Sequence, residues 1–128
     1  NIFSKKFVVE TADSAHGKKF KQTFQNNMQK REEPQIEAFD KEAFDFTSVQ
    51  FEPDLKRFDV KEISNDMLGL LYKRVYDIAG ITPKATNVYL NGKKVDVKDF
   101  SSYVDMYMNC LNESEENKIE KIYEEFGA

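Results

Sequence analysis

The chain has 128 residues, 40% of them hydrophobic and 33% charged, with a formal net charge of −4. That is one domain's worth of residues, enough to bury roughly two thirds of its unfolded surface. The acidic balance excludes a basic field for holding nucleic acid, and no run approaches the ~18 consecutive apolar residues of a membrane span. A single cysteine, Cys110, cannot form an internal disulfide and fits a reducing compartment. The first residues, NIFSKKFVVE, carry neither an initiator Met nor the long apolar segment of a secretory leader, as expected of an internal piece of a longer protein.

In chain order, Phe7 to Thr11 reads as a strand, and Ala15-His16-Gly17-Lys18 supplies a turn. The return strand alternates, with Phe20, Gln22, Phe24, Asn26 and Met28 on one face and Lys21, Thr23, Gln25 and Asn27 on the other. The densest basic stretch, Lys18 to Arg31, is followed by Glu32 and Glu33 and reads as a solvated hairpin rather than a phosphate patch. After Pro34, Ile36 to Phe39 forms a short strand, and Lys41 to Asp45 connects it to a further alternating one. In that strand Thr47, Val49 and Phe51 share one face and Ser48, Gln50 and Glu52 the other, until Pro53 ends it. Asp54 is expected to meet nearby backbone amides in the turn that follows.

Ser64 is placed to cap a helix whose stripe is Met67, Leu68, Leu71, Val75 and Ile78, with Gly80 as its left-handed terminator. Thr86 to Leu90, Asn91-Gly92 and Lys93 to Val97 read as a hairpin with a tight type I′ turn. Asp99 caps a second helix, with Phe100, Tyr103, Val104, Tyr107 and Leu111 towards the core. The segment from Ser114 to Phe126 reads locally as a capped amphipathic helix. These elements predict an α+β fold, a two-layer sandwich with a mixed, largely antiparallel sheet covered by helices.

Chemistry-bearing motifs are few. One His and one Cys cannot make a soft-ligand metal site, and the pair serves as a nucleophile and base only by accident of folding; Cys110 is expected in the core or at its boundary. The five glycines lie at neither G-x-x-G-x-G nor Walker spacing, so no complete nucleotide-hydrolysing site can be assembled from this chain. Thr47 stands apart, because it puts a hydroxyl on the face of Val49 and Phe51, and a buried hydroxyl without a partner costs about 1–3 kcal/mol. Two readings are open: a hydrogen bond to a neighbouring carbonyl, or a contact to a ligand or its ordered water.

Four blocks, in order, resemble the ATPase region of the eukaryotic type II DNA topoisomerases, in wording nearer the fungal members. They are FVVETAD with KKFKQTFQNNM, then TSVQFEPDLKRF, then NDMLGLLYKRVYDIAG, then NVYLNGKKVDVKDFSSYVDMY, and together they span most of residues 1–108. The resemblance implies the C-terminal half of an ATPase domain of the fold shared with gyrase and histidine kinases. It implies that residues 1–112 belong to that domain, and that 113–128 are a linker and the truncated start of the transducer domain, with residues 121–126 a strand rather than a helix. By the same resemblance Thr47 and Val49 line the adenine side of the nucleotide pocket, with no catalytic and no metal-binding residue in this chain.

The catalytic Glu, the Mg²⁺-binding Asn and the phosphate lid are implied upstream, and a γ-phosphate lysine downstream. The intact protein implied is a nuclear, homodimeric isomerase. It would use ATP and Mg²⁺ to drive DNA strand passage, relaxing or decatenating DNA that it binds through other regions. The chain alone would be inactive and hold no cofactor, with no membrane association. The alternative is a stand-alone acidic α+β protein-interaction module with no catalytic activity, using the Asn91-Gly92 hairpin and a free sheet edge.

Overall fold

A computed structural model describes residues 1–111, 120–122 and 124. The chain divides into two compact units, Asn1–Ile63 and Ser64–Ala128.

The first unit is a five-stranded sheet of β1 (Ser4–Asp13), β2 (Lys18–Gln25), β3 (Lys30–Arg31), β4 (Gln35–Ala38) and β5 (Phe46–Pro53), with a 3₁₀ turn at Leu55–Phe58. The order is β3-β2-β1-β5, with β4 also pairing β2. Every pairing among these strands is antiparallel, so the largely antiparallel sheet expected is antiparallel throughout its described part. Directly opposed residues share a face. Phe7, Val9 and Thr11 of β1 therefore lie level with Phe24, Gln22 and Phe20 of β2 and with Phe51, Val49 and Thr47 of β5. That face gathers aromatic and aliphatic side chains with Gln22, Thr11 and Thr47 among them, and Phe7 and Phe24 pack with ring centroids 6.3 Å apart. The opposite face carries Val8 and Ala12, buried at 7% and 4% exposed, beside Lys19, Lys21, Glu10 and Glu37, with Lys19 reaching Glu10 at 3.6 Å and Glu37 at 3.1 Å.

Alternation in β2 stops earlier than its sequence suggests. Asn26, Asn27 and Met28 all have positive φ, 49°, 57° and 70°, and form a left-handed turn instead of continuing the strand. Asparagine tolerates this conformation, and the Asn26 and Asn27 amides donate to the Lys5 and Ser4 carbonyls, which holds the turn against β1. Asp54 also departs from expectation. Its amide donates to the Phe3 carbonyl, but its carboxylate caps no backbone amide and accepts from Asn27 Nδ2 at 3.3 Å. The turn after β5 is thus tied to the N-terminus, where Phe58 packs edge-on against Phe3 and the Arg57 guanidinium lies 5.1 Å from the Phe3 ring centre.

The second unit holds α1 (Asn65–Ile81), the hairpin β6 (Tyr89–Leu90) and β7 (Lys93–Lys94), and α2 (Phe100–Leu111). Ser64 caps α1, its Oγ accepting from the Met67 amide at 3.2 Å. Gly80 does not terminate it: the helix runs through Gly80 to Ile81 and ends at Thr82 in an extended conformation, just before Pro83, whose ring disfavours helix in the preceding residue. Asn91 and Gly92 have φ of 50° and 78°, the positive values that a type I′ turn requires. The ladder itself is short, but the Val95 amide still reaches the Val88 carbonyl at 2.9 Å.

The core of this unit is Ala79, Val95 and Val97, surrounded by Val75, Tyr76, Val88, Leu90, Tyr103 and Met106. Only Val75 of the expected α1 stripe reaches it. Met67, Leu71 and Ile78 lie on an adjacent arc of the helix and are 50%, 47% and 54% exposed. In α2, Tyr103 packs inward while Phe100, Tyr107 and Leu111 are exposed; Cys110 is exposed as well. The helix-or-strand question for residues 114–126 falls largely outside the described residues; 120–122 and 124 are neither.

Asp99 caps α2 by exchange: the Ser102 amide donates to Asp99 Oδ1 at 2.8 Å, and the Asp99 amide donates to Ser102 Oγ at 3.1 Å. The Ser102 amide, with Lys84 beside it, holds the Asp99 carboxyl down to about 2, below the ~3.9 of an unfolded chain. A depressed folded value gives stability that is complete above the unfolded value and lost as pH falls through the folded one. The cap is therefore expected to hold above about pH 4 and to release as pH falls from 4 to 2. Hydrogen exchange at the Ser102 amide reads this, and Asp99→Asn, which keeps the acceptor, should flatten the dependence. An unchanged acid transition in that variant would refute the assignment.

Candidate functional site

Strand β5 lies at one end of the sheet order and pairs with β1 in a register that sets Thr47 opposite Thr11 and Val49 opposite Val9. Both residues named from the sequence are thus on one face, two positions apart, and both are exposed; Val49 is 55% exposed. The buried hydroxyl inferred from the sequence is not what the fold presents, since Thr47 stands at an open surface. Its Oγ1 lies 3.3 Å from Thr11 Oγ1, while Thr11 Oγ1 itself lies 3.2 Å from the Phe46 carbonyl, to which it can donate.

The neighbouring carbonyl is therefore served by Thr11 rather than by Thr47. A hydroxyl offers one proton and two lone pairs, so Thr47, with one partner, keeps capacity for another. Thr11 was not singled out by sequence reasoning. Its signal was the same alternation that places Phe7 and Val9 beside it.

Charges of both signs stand at this end of the sheet, with Lys18 directly opposite Asp13 and Lys19 opposite Ala12. Asp45 Oδ1 accepts from the Ser14 amide at 2.7 Å, and that bond holds its carboxyl below the ordinary range. Asp13 is likewise held down, chiefly by the His16 side chain 2.6 Å from its Oδ2. Among the described residues no three His, Cys, Asp or Glu side chains come together to hold a metal ion, and no helix is long and apolar enough to cross a membrane. Two surface hollows stand out, of about 190 Å³ beside Lys6, Val8 and Gln50 and of about 450 Å³ beside Tyr76, Leu90 and Asp96. Neither is lined by Thr47 or Val49.

No family model matches the chain. Individual relatives do. DNA topoisomerase 2 of Arabidopsis thaliana is 48% identical over 114 residues, 89% of this chain and 8% of that protein. DNA topoisomerase 2 of Saccharomyces cerevisiae is 45% identical over 111 residues, 87% of this chain and again 8% of the relative. A crystal structure of the ATPase region of the S. cerevisiae enzyme, bound to ICRF-187, matches with a TM-score of 0.82 and 44% identity, covering 88% of this chain and 29% of that one. The plant and yeast identities are too close to favour the fungal branch. The chain spans less than a tenth of the length of these curated relatives. In sequence and in fold it belongs to the eukaryotic type II DNA topoisomerases, and corresponds to part of their ATPase region.

Proposed function

We propose that this chain supplies one wall of the nucleotide pocket of an ATP-hydrolysing type II DNA topoisomerase. The observation that carries the reading is the match, at TM-score 0.82 and 44% identity, to a solved ATPase region. Thr47 and Val49 form the part of the wall that meets the base: Val49 offers apolar surface, and the spare hydrogen-bonding capacity of Thr47 takes the base edge or a water on it.

The rest of the activity belongs to residues outside the chain. The intact protein uses ATP with Mg²⁺, acts as a nuclear homodimer, and relaxes or decatenates DNA by passing one duplex through another. Mg²⁺ would neutralise the phosphates there; no described cluster of this chain is fitted to hold it. On this reading residues 1–112 belong to the C-terminal part of the ATPase domain, and 113–128 are a linker and the truncated start of the transducer. The stand-alone interaction module finds no support among the relatives.

The expected result is that the 128 residues alone hydrolyse no ATP above background, whereas the longer ATPase region containing them turns it over. Turnover by the isolated chain, or a longer region that neither binds nor hydrolyses ATP, would overturn this reading.

A further inference from the structure

We infer that Ser101 and Asp105 of α2 form a seat for the Lys121 ammonium, which fastens residues 120–122 back onto the first half of α2. Lys121 Nζ donates to Ser101 Oγ at 2.9 Å, to the Ser101 carbonyl at 3.4 Å, and to the Asp105 carboxylate. An ammonium has three protons and no acceptor, and here three acceptors converge on it from one helix face, since positions i and i+4 are neighbours. The Lys121 side chain is only 27% exposed, against 51% for Asp105.

An exposed ion pair alone contributes little, and the positive end of α2 opposes a cation in its first turns. The seat therefore depends on the combination of hydroxyl, carbonyl and carboxylate rather than on charge attraction. Its consequence is directional. α2 ends at Leu111, so a chain fastened at Ser101 and Asp105 has turned back by six to ten helical positions, roughly 9–15 Å. Lys121 itself is thereby held beside the capped start of α2, so that a shift of α2 carries it along.

Amide hydrogen exchange at residues 120–122, in the longer protein, tests the seat without any nucleotide readout, so its failure is distinct from failure of the ATPase reading. Lys121→Met is expected to speed exchange there about threefold or more, and Asp105→Asn to do the same. The double variant should be no faster than either single one. Because Lys121 lies outside α2, its substitution leaves the helix itself intact, and α2 amides should be unaffected. Unchanged exchange at 120–122 in Lys121→Met, or additive effects in the double variant, would overturn the inference.

Discussion

Gly80→Val is expected to destabilise the second unit by about 2–3 kcal/mol, and Gly80→Ala by about 1 kcal/mol or less. A Cβ at this position would stand 2.8 Å from Tyr103 Cγ and 2.9 Å from Tyr103 Cβ. The obstacle is the root of the tyrosine, not a flexible tip. Its far end is also held, because the Tyr103 hydroxyl donates to Asp77 and lies 3.0 Å from the Tyr107 hydroxyl. Asp77 is in turn gripped by Lys73 at 2.7 Å.

The ring can neither retreat nor rotate away without breaking this α1–α2 network, so the added carbon must be accommodated by parting the helices. The better helix propensity of alanine returns about 1 kcal/mol, which is why the alanine variant loses less than the valine. Gly69 on the same helix provides the control. A Cβ there meets nothing within 4 Å, so Gly69→Ala should raise stability by about 0.5–1 kcal/mol. Urea unfolding of the three variants checks the set. Equal effects at the two glycines would show that helix propensity, not the approach of Tyr103, governs Gly80.

That glycine marks where local reading of the sequence runs out. A Gly near the end of a periodic segment signals a left-handed cap, and nothing local distinguishes that use from a helix crossing. Only Tyr103, 23 residues later, makes the difference. Several interactions that close within four residues are legible, the Ser64 and Asp99 caps and the Asn91-Gly92 turn among them, whereas the local contact expected of the Asp54 carboxylate gives way to Asn27, 27 positions away.

Long-range choices were less so. The α1 stripe was a correct sign of amphipathicity, but a helix of 17 residues can carry two apolar arcs, and periodicity does not say which one a given partner covers. Likewise the β2 alternation ran on past the strand, since Asn26 and Met28 keep the pattern in sequence while their backbones turn left-handed. At the candidate site the face shared by Thr47 and Val49 was readable from period two alone. The hydroxyl's partner was not, because Thr11 lies 36 positions away and enters only through the β1–β5 register.

That register also defines the sharpest functional expectation. In the longer ATPase region, Thr47→Val keeps the size and β-branching of the side chain and removes only the hydroxyl. A ligand group or bridging water left without that partner costs on the order of 1–3 kcal/mol, and 1.4 kcal/mol is tenfold in affinity. Ser48→Ala, on the opposite face of the same strand, removes a hydroxyl that this account gives no role. Calorimetric titration of both variants with a non-hydrolysable ATP analogue is the direct measurement. Binding is expected to be about tenfold weaker for Thr47→Val, with an unaltered unfolding midpoint, and unchanged for Ser48→Ala. Equal affinity of Thr47→Val and the parent would contradict the claim that this face of β5 is a wall of the nucleotide pocket.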